Sequence, residues 1–129
     1  MARNIKHFIF SASLLALSSA AFAESVVCHV SYGGTTQLVE ALPVSSPYRV
    51  SPVSIGSYFL FRIVFQKEPA ELANIKLYTY ADRDSGPVII HQASYAYPST
   101  NTAVYGFSGL NFVYEPVRDG ELQYWCEIK

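Results

Sequence analysis

Beyond its first 23 residues this 129-residue chain holds four cysteines and histidines: Cys28, His29, His91 and Cys126. Thiolate and imidazole are the usual ligands of copper and zinc, so the adjacent pair Cys28-His29 invites a metal reading. A reactive thiol is the second reading. It needs a lowered pKa, from a C-x-x-C spacing or a helix N-terminus, and the sequence offers neither. A disulfide is the third. An even cysteine count in an exported chain reads as a bridge between Cys28 and Cys126. Closing a loop of roughly 100 residues stabilises by about 4–5 kcal/mol in the chain-entropy description.

The local pattern favours the bridge. "SVVCHVSY" alternates with period two, which places Val26, Cys28 and Val30 on one face and Val27, His29 and Ser31 on the other. Neighbouring strand side chains point to opposite faces, so Cys28 and His29 do not converge on one ion. "ELQYWCEIK" alternates likewise, aligning Leu122, Tyr124, Cys126 and Ile128 and turning Trp125 to the other side. Each cysteine thus sits on an apolar strip, and the bridge is expected to hold the first strand to the last. His29 with His91 remains as an alternative copper or zinc pair. No cofactor is expected.

Other chemistry finds little support. Ser108 lies in "GFSGL", which lacks the G-x-S-x-G spacing of a nucleophile elbow. "DRDSG" from Asp82 to Gly86 opens like a calcium loop. Pro87 then takes the glycine position and Ala93 the place of the bidentate glutamate, so a hairpin turn is expected instead. The acidic residues fall mostly in turns or near strand ends, which suits solvation better than paired-carboxylate hydrolysis. The chain is therefore not expected to be an enzyme.

These side chains need strands to position them, and strand signals fill the sequence. Gly33-Gly34 reads as a two-residue hairpin turn, with "TTQLVEAL" as the return strand. "PVSSPYRVSPVSIG" is an extended edge or loop passage, because proline cannot donate to a ladder. "SYFLFRIVF" is the clearest strand, with Phe59, Phe61, Ile63 and Phe65 facing the core. "QKEPAELAN" allows one helical turn opened by Pro69 and closed by Asn74. "IKLYTY" and "VIIHQASYAY" flank a turn at "ADRDSGP". "AVYGFSGLNFVYEP" holds one or two short strands bent at Gly106 and Gly109, and Asp119-Gly120 marks the last turn.

Short strands at regular turn spacing predict an all-β fold, a small antiparallel sandwich in preference to a barrel, stapled by one disulfide. Tyr124-Trp125-Cys126 resembles the Tyr-x-Cys of the immunoglobulin tyrosine corner. A true immunoglobulin domain continues with another strand after that cysteine and carries a tryptophan soon after the first. The expectation is an immunoglobulin-like architecture, not a true immunoglobulin domain.

The N-terminus predicts the destination. Arg3 and Lys6 precede an apolar run from Phe8 to Leu17, and Ala21-Phe22-Ala23 is an A-x-A cleavage site. Residues 1–23 read as a signal peptide and residues 24–129 as a single periplasmic or secreted domain. The apolar run is short of the roughly 20 residues of a spanning helix, and no membrane anchor is expected after cleavage. Cleavage removes two of nine basic residues against ten acidic ones, leaving mild net acidity. That offers no footprint for nucleic acid.

Tyrosine is the one excess, at ten residues. Tyr78 and Tyr80 share a face of one strand, and His91, Tyr95 and Tyr97 share a face of the next. If the two strands pair as a hairpin, the two sets are expected to form one aromatic surface, with Trp125 as a further contact residue. Tyrosine suits binding because it joins apolar area to a polar tip at small entropic cost. The expected function is therefore an exported, non-enzymatic accessory protein that docks on a protein partner through this face. The alternative is a module for sugar, copper or zinc. Sugar would stack on Trp125 or tyrosines with Asn101 or Asp82 as hydrogen-bonding groups.

Overall fold

The computed structural model describes residue 13, residues 23–102 and residues 104–129. The expected signal peptide therefore lies almost wholly outside the described residues. Eight strands follow in order: β1 (Val26–Tyr32), β2 (Thr35–Ala41), β3 (Val53–Ile55), β4 (Phe59–Gln66), β5 (Asn74–Arg83), β6 (Gly86–Ala96), β7 (Asn111–Glu115) and β8 (Gly120–Ile128). They form two four-stranded antiparallel sheets, ordered β2-β1-β8-β7 and β3-β4-β5-β6. Two single 3₁₀ turns, Pro47–Arg49 and Ala70–Leu72, interrupt the connections. Pro69 stands immediately before the second of these.

Alternation builds the core. Phe59, Phe61, Ile63 and Phe65 of β4 pack against Val26, Cys28 and Val30 of β1 and Leu122, Tyr124 and Cys126 of β8 in one buried cluster. Fully burying a side chain such as Phe61 contributes about 1.5–3 kcal/mol from water exclusion alone. Gly33 and Gly34, with φ of 60° and 79°, make the hairpin turn between β1 and β2, where L side chains would be strained.

Cys28 and Cys126 are joined by a disulfide with sequence separation 98. They stand directly opposite each other in the β1–β8 ladder. The staple thus joins neighbouring strands of one sheet, whereas the immunoglobulin bridge crosses between sheets. Ser25 and Lys129 extend the ladder one step further, exchanging two backbone hydrogen bonds of 2.8 Å. Tyr124 makes no tyrosine corner. Its hydroxyl lies 2.8 Å from Nε2 of His91, across the core.

At one end the hairpin turns of the two sheets interlock. The Glu115 carboxylate is almost completely buried and accepts hydrogen bonds from the amides of Val117 and Arg118. Arg83, the last residue of β5, donates to it at 3.1 Å. Arg118 then donates to the Asp82 carbonyl and lies over the Tyr58 ring, 4.3 Å from its centroid.

Candidate functional site

The register of β1 against β8 sets Val27 opposite Glu127, His29 opposite Trp125, and Ser31 opposite Gln123. All of these project from the outer face of the sheet, because Cys28 and Cys126 point inward between them. The disulfide sits one step along the ladder from the His29–Trp125 pair and on the opposite face. It therefore fixes the strand register that brings the two rings together.

They stack. The imidazole and indole centroids are 3.8 Å apart and the planes differ by 5°. Glu127 holds the imidazole from the side, accepting a hydrogen bond from His29 Nε2 at 3.1 Å. Leu38 of β2 stands beside His29 in the ladder and is 61% exposed. On the other flank Tyr105 meets the indole edge-on, with centroids 6.1 Å apart. Leu38, His29, Trp125 and Tyr105 thus make one apolar row across the sheet. Phe112 of β7, opposite Gln123 and 57% exposed, adds to it.

Tyr105 is placed at a cost. Its φ is 59°, in the left-handed region that non-glycine residues avoid, a penalty of about 1–2 kcal/mol. The segment around it is clamped to β8. Asn101 donates to the Ile128 carbonyl and accepts from the Ile128 amide. Phe107 donates to the Cys126 carbonyl, and the Cys126 amide donates to Ser108 Oγ. Gly106 must be glycine, since an added Cβ would lie 2.0 Å from the Cys126 carbonyl oxygen. Strain held by surrounding bonds is a mark of sites where the side chain matters.

The expected surface of Tyr78, Tyr80, His91, Tyr95 and Tyr97 does not form. The β5–β6 hairpin is present, but its register shifts between Thr79 and Tyr80. Tyr80 pairs with Ile89, whereas Thr79 pairs with His91, leaving Ile90 as the extra residue of a bulge. A one-residue slip moves every later side chain to the other face. Tyr78 and Tyr80 therefore project outward from their sheet, with Arg62 over the Tyr78 ring at 5.1 Å. His91, Tyr95 and Tyr97 turn inward, against Tyr124, Phe107 and Phe65 respectively.

The same geometry separates the alternative ligands. His29 lies on the outside of one sheet, and His91 lies between the sheets on Tyr124, so the two imidazoles do not face one another. Burial pushes the His91 pKa down. Among the described residues no group of three or more His, Cys, Asp or Glu is placed to hold a metal ion. For sugar, one indole face is covered by His29 and the Asn101 amide is engaged by Ile128. Asp82 stands in the other sheet. Ser108 accepts from a backbone amide and donates to the Gly109 carbonyl, with no histidine beside it among its hydrogen-bond partners.

Of the expected binding residues, Trp125, Tyr78 and Tyr80 lie on outer faces, and only Trp125 is joined there by His29. Leu38, Tyr105 and Phe112 carried no sequence signal for the site. Matched against known families, curated proteins and solved structures, the chain finds no counterpart.

Proposed function

We propose that this chain is an exported, non-enzymatic accessory protein that docks on a partner protein through the outer face of the β2-β1-β8-β7 sheet. The observation that carries the reading is the His29–Trp125 stack, locked by Glu127 and flanked by exposed Leu38, Tyr105 and Phe112. Rigid aromatic anchors bind with little loss of side-chain entropy and dominate protein interfaces. Glu40, Glu121 and Glu127 lie around the apolar row on the same face, which suits a partner patch that is apolar with a basic rim.

Export supports the same reading. The A-x-A site at Ala21-Phe22-Ala23 accords with a periplasmic or secreted destination, and disulfides persist in such compartments. None of the described helices is long and apolar enough to cross a membrane. N-terminal sequencing of the exported protein is expected to begin at Glu24; a chain beginning at Met1 would remove the export half of the proposal. The docking half is tested by capture of a partner with wild-type protein and with Trp125→Ala.

A further inference from the structure

A groove of about 490 Å³ opens on the opposite side of the molecule from the Tyr105 segment, where the free edge of β2 faces β3 and β4. Its floor reaches the core residues Phe61 and Ile63, and its walls include Val39, Ala41, Val44 and Val53. The chain leaves β2 here and crosses to the other sheet, where the Val44 amide donates to the Phe65 carbonyl at 2.8 Å. An apolar strip that includes exposed Leu42 and Val53 is left along this edge, above the buried side chains of Val39, Phe61 and Ile63.

Two charged residues lie along it, Glu40 and Arg49. Glu40 pairs with Val27 in the ladder, so its carboxylate projects from the outer face of its sheet rather than between the sheets. Arg49 stands at the end of the 3₁₀ turn Pro47–Arg49, and it forms no ion pair among the described residues. That turn is pinned on both sides. The Arg62 guanidinium donates to the Pro47 carbonyl and, at 2.8 Å, to the Val50 carbonyl. Arg62 itself lies over the Tyr78 ring. The cation at the mouth of the groove is therefore carried on a backbone fixed before any ligand arrives.

An apolar strip with one guanidinium on a fixed turn beside it fits a molecule with an alkyl tail and one negative head. We propose that this groove binds a monocarboxylate with a linear alkyl chain, its tail along Leu42, Val44, Val50 and Val53 and its carboxylate on Arg49. Pockets of this volume, mostly apolar with few convergent polar groups, are the usual form of small-molecule sites. A guanidinium pairs a carboxylate with two parallel hydrogen bonds, which an alcohol cannot reproduce. The site is independent of the docking face and stands or falls separately from it.

Calorimetric titration of the full mature protein with decanoate, below its micellar concentration, tests the assignment. One saturable site is expected, with decanol at least tenfold weaker. Arg49→Gln should weaken decanoate about tenfold and leave decanol unchanged. Val53→Phe, at the partly exposed wall, should fill the groove and weaken both. Circular dichroism and thermal melting confirm that each variant is folded. No saturable decanoate binding, equal affinity for Arg49→Gln, or unchanged binding by Val53→Phe would each overturn the proposal.

Discussion

The imidazole of His29 lies flat on the indole of Trp125, with centroids 3.8 Å apart and planes 5° from parallel. The pair stands one ladder step from the Cys28–Cys126 bridge, on the opposite face of the same two strands. Core and surface aromatics should therefore separate cleanly on mutation. Phe61→Ala, which empties core volume, is expected to cost about 3–5 kcal/mol in urea unfolding. Phe112→Ala, on the proposed docking face, should stay within about 0.5 kcal/mol of wild type. Comparable losses for the two would mean that the outer face is a buried structural layer.

The staple should matter to stability more than any single contact. With the cysteines 98 positions apart, reducing the bridge or replacing both cysteines by alanine is expected to cost about 4–5 kcal/mol. Equilibrium denaturation of oxidised and reduced protein measures it. Mass spectrometry of exported, alkylated protein should find no free thiol, and quantitative labelling of Cys28 and Cys126 would contradict the bridge.

Acid should destabilise the fold in two stages. Burial pushes the His91 pKa below its ordinary 6.5. Protonation therefore favours the unfolded chain, and stability begins to fall as pH drops through about 6.5. Burial alone would raise the Glu115 pKa. The Arg118 amide, the Arg83 guanidinium and the Val117 amide outweigh it and hold the carboxyl below its ordinary 4.5. That stabilisation is present above about pH 4.5 and is lost as pH falls through the lower folded value. Urea midpoints across this range should decline in both windows. His91→Phe should flatten the upper one and Glu115→Gln the lower one; an unchanged profile in either variant refutes its assignment.

The strained Tyr105 gives a test in which stability and binding move apart. Tyr105→Asn suits the left-handed backbone better, so stability should hold or rise by up to about 1 kcal/mol. Partner binding should nevertheless weaken. Gly106→Ala, by contrast, drives a Cβ against the Cys126 carbonyl and should cost about 1–3 kcal/mol. A loss of more than 1 kcal/mol for Tyr105→Asn would make Tyr105 a packing residue.

Strand alternation alone suffices to read both faces of β1, β4 and β8, because each runs without interruption. It aligns Cys28 with Cys126 and turns Trp125 outward. The hairpin of β5 and β6 shows where that logic ends. Continuing the turn's register from Arg83–Gly86 would set Tyr78 opposite His91 on one face. Ile90 bulges out instead, and its side chain packs against the core. The bulge inverts His91, Tyr95 and Tyr97, and nothing in the local spelling of "VIIHQ" distinguishes Ile89 from Ile90. On β7 the obstacle is different. Phe112 and Tyr114 face solvent while Glu115 is buried, since the turn amides and Arg83 satisfy the carboxylate. That inversion of apolar-in and polar-out depends on partners distant in sequence.

The docking face itself is tested most directly by comparative capture. Wild-type protein, Trp125→Ala and the double variant Tyr78→Ala/Tyr80→Ala would each be immobilised and exposed to envelope and culture extracts of the producing cell. Bound proteins would be quantified by mass spectrometry. A partner is expected to be retained by wild type and by the Tyr78/Tyr80 variant and depleted at least tenfold by Trp125→Ala. Equal retention of every bound protein by Trp125→Ala, or its loss with the Tyr78/Tyr80 variant instead, would contradict the proposed docking face.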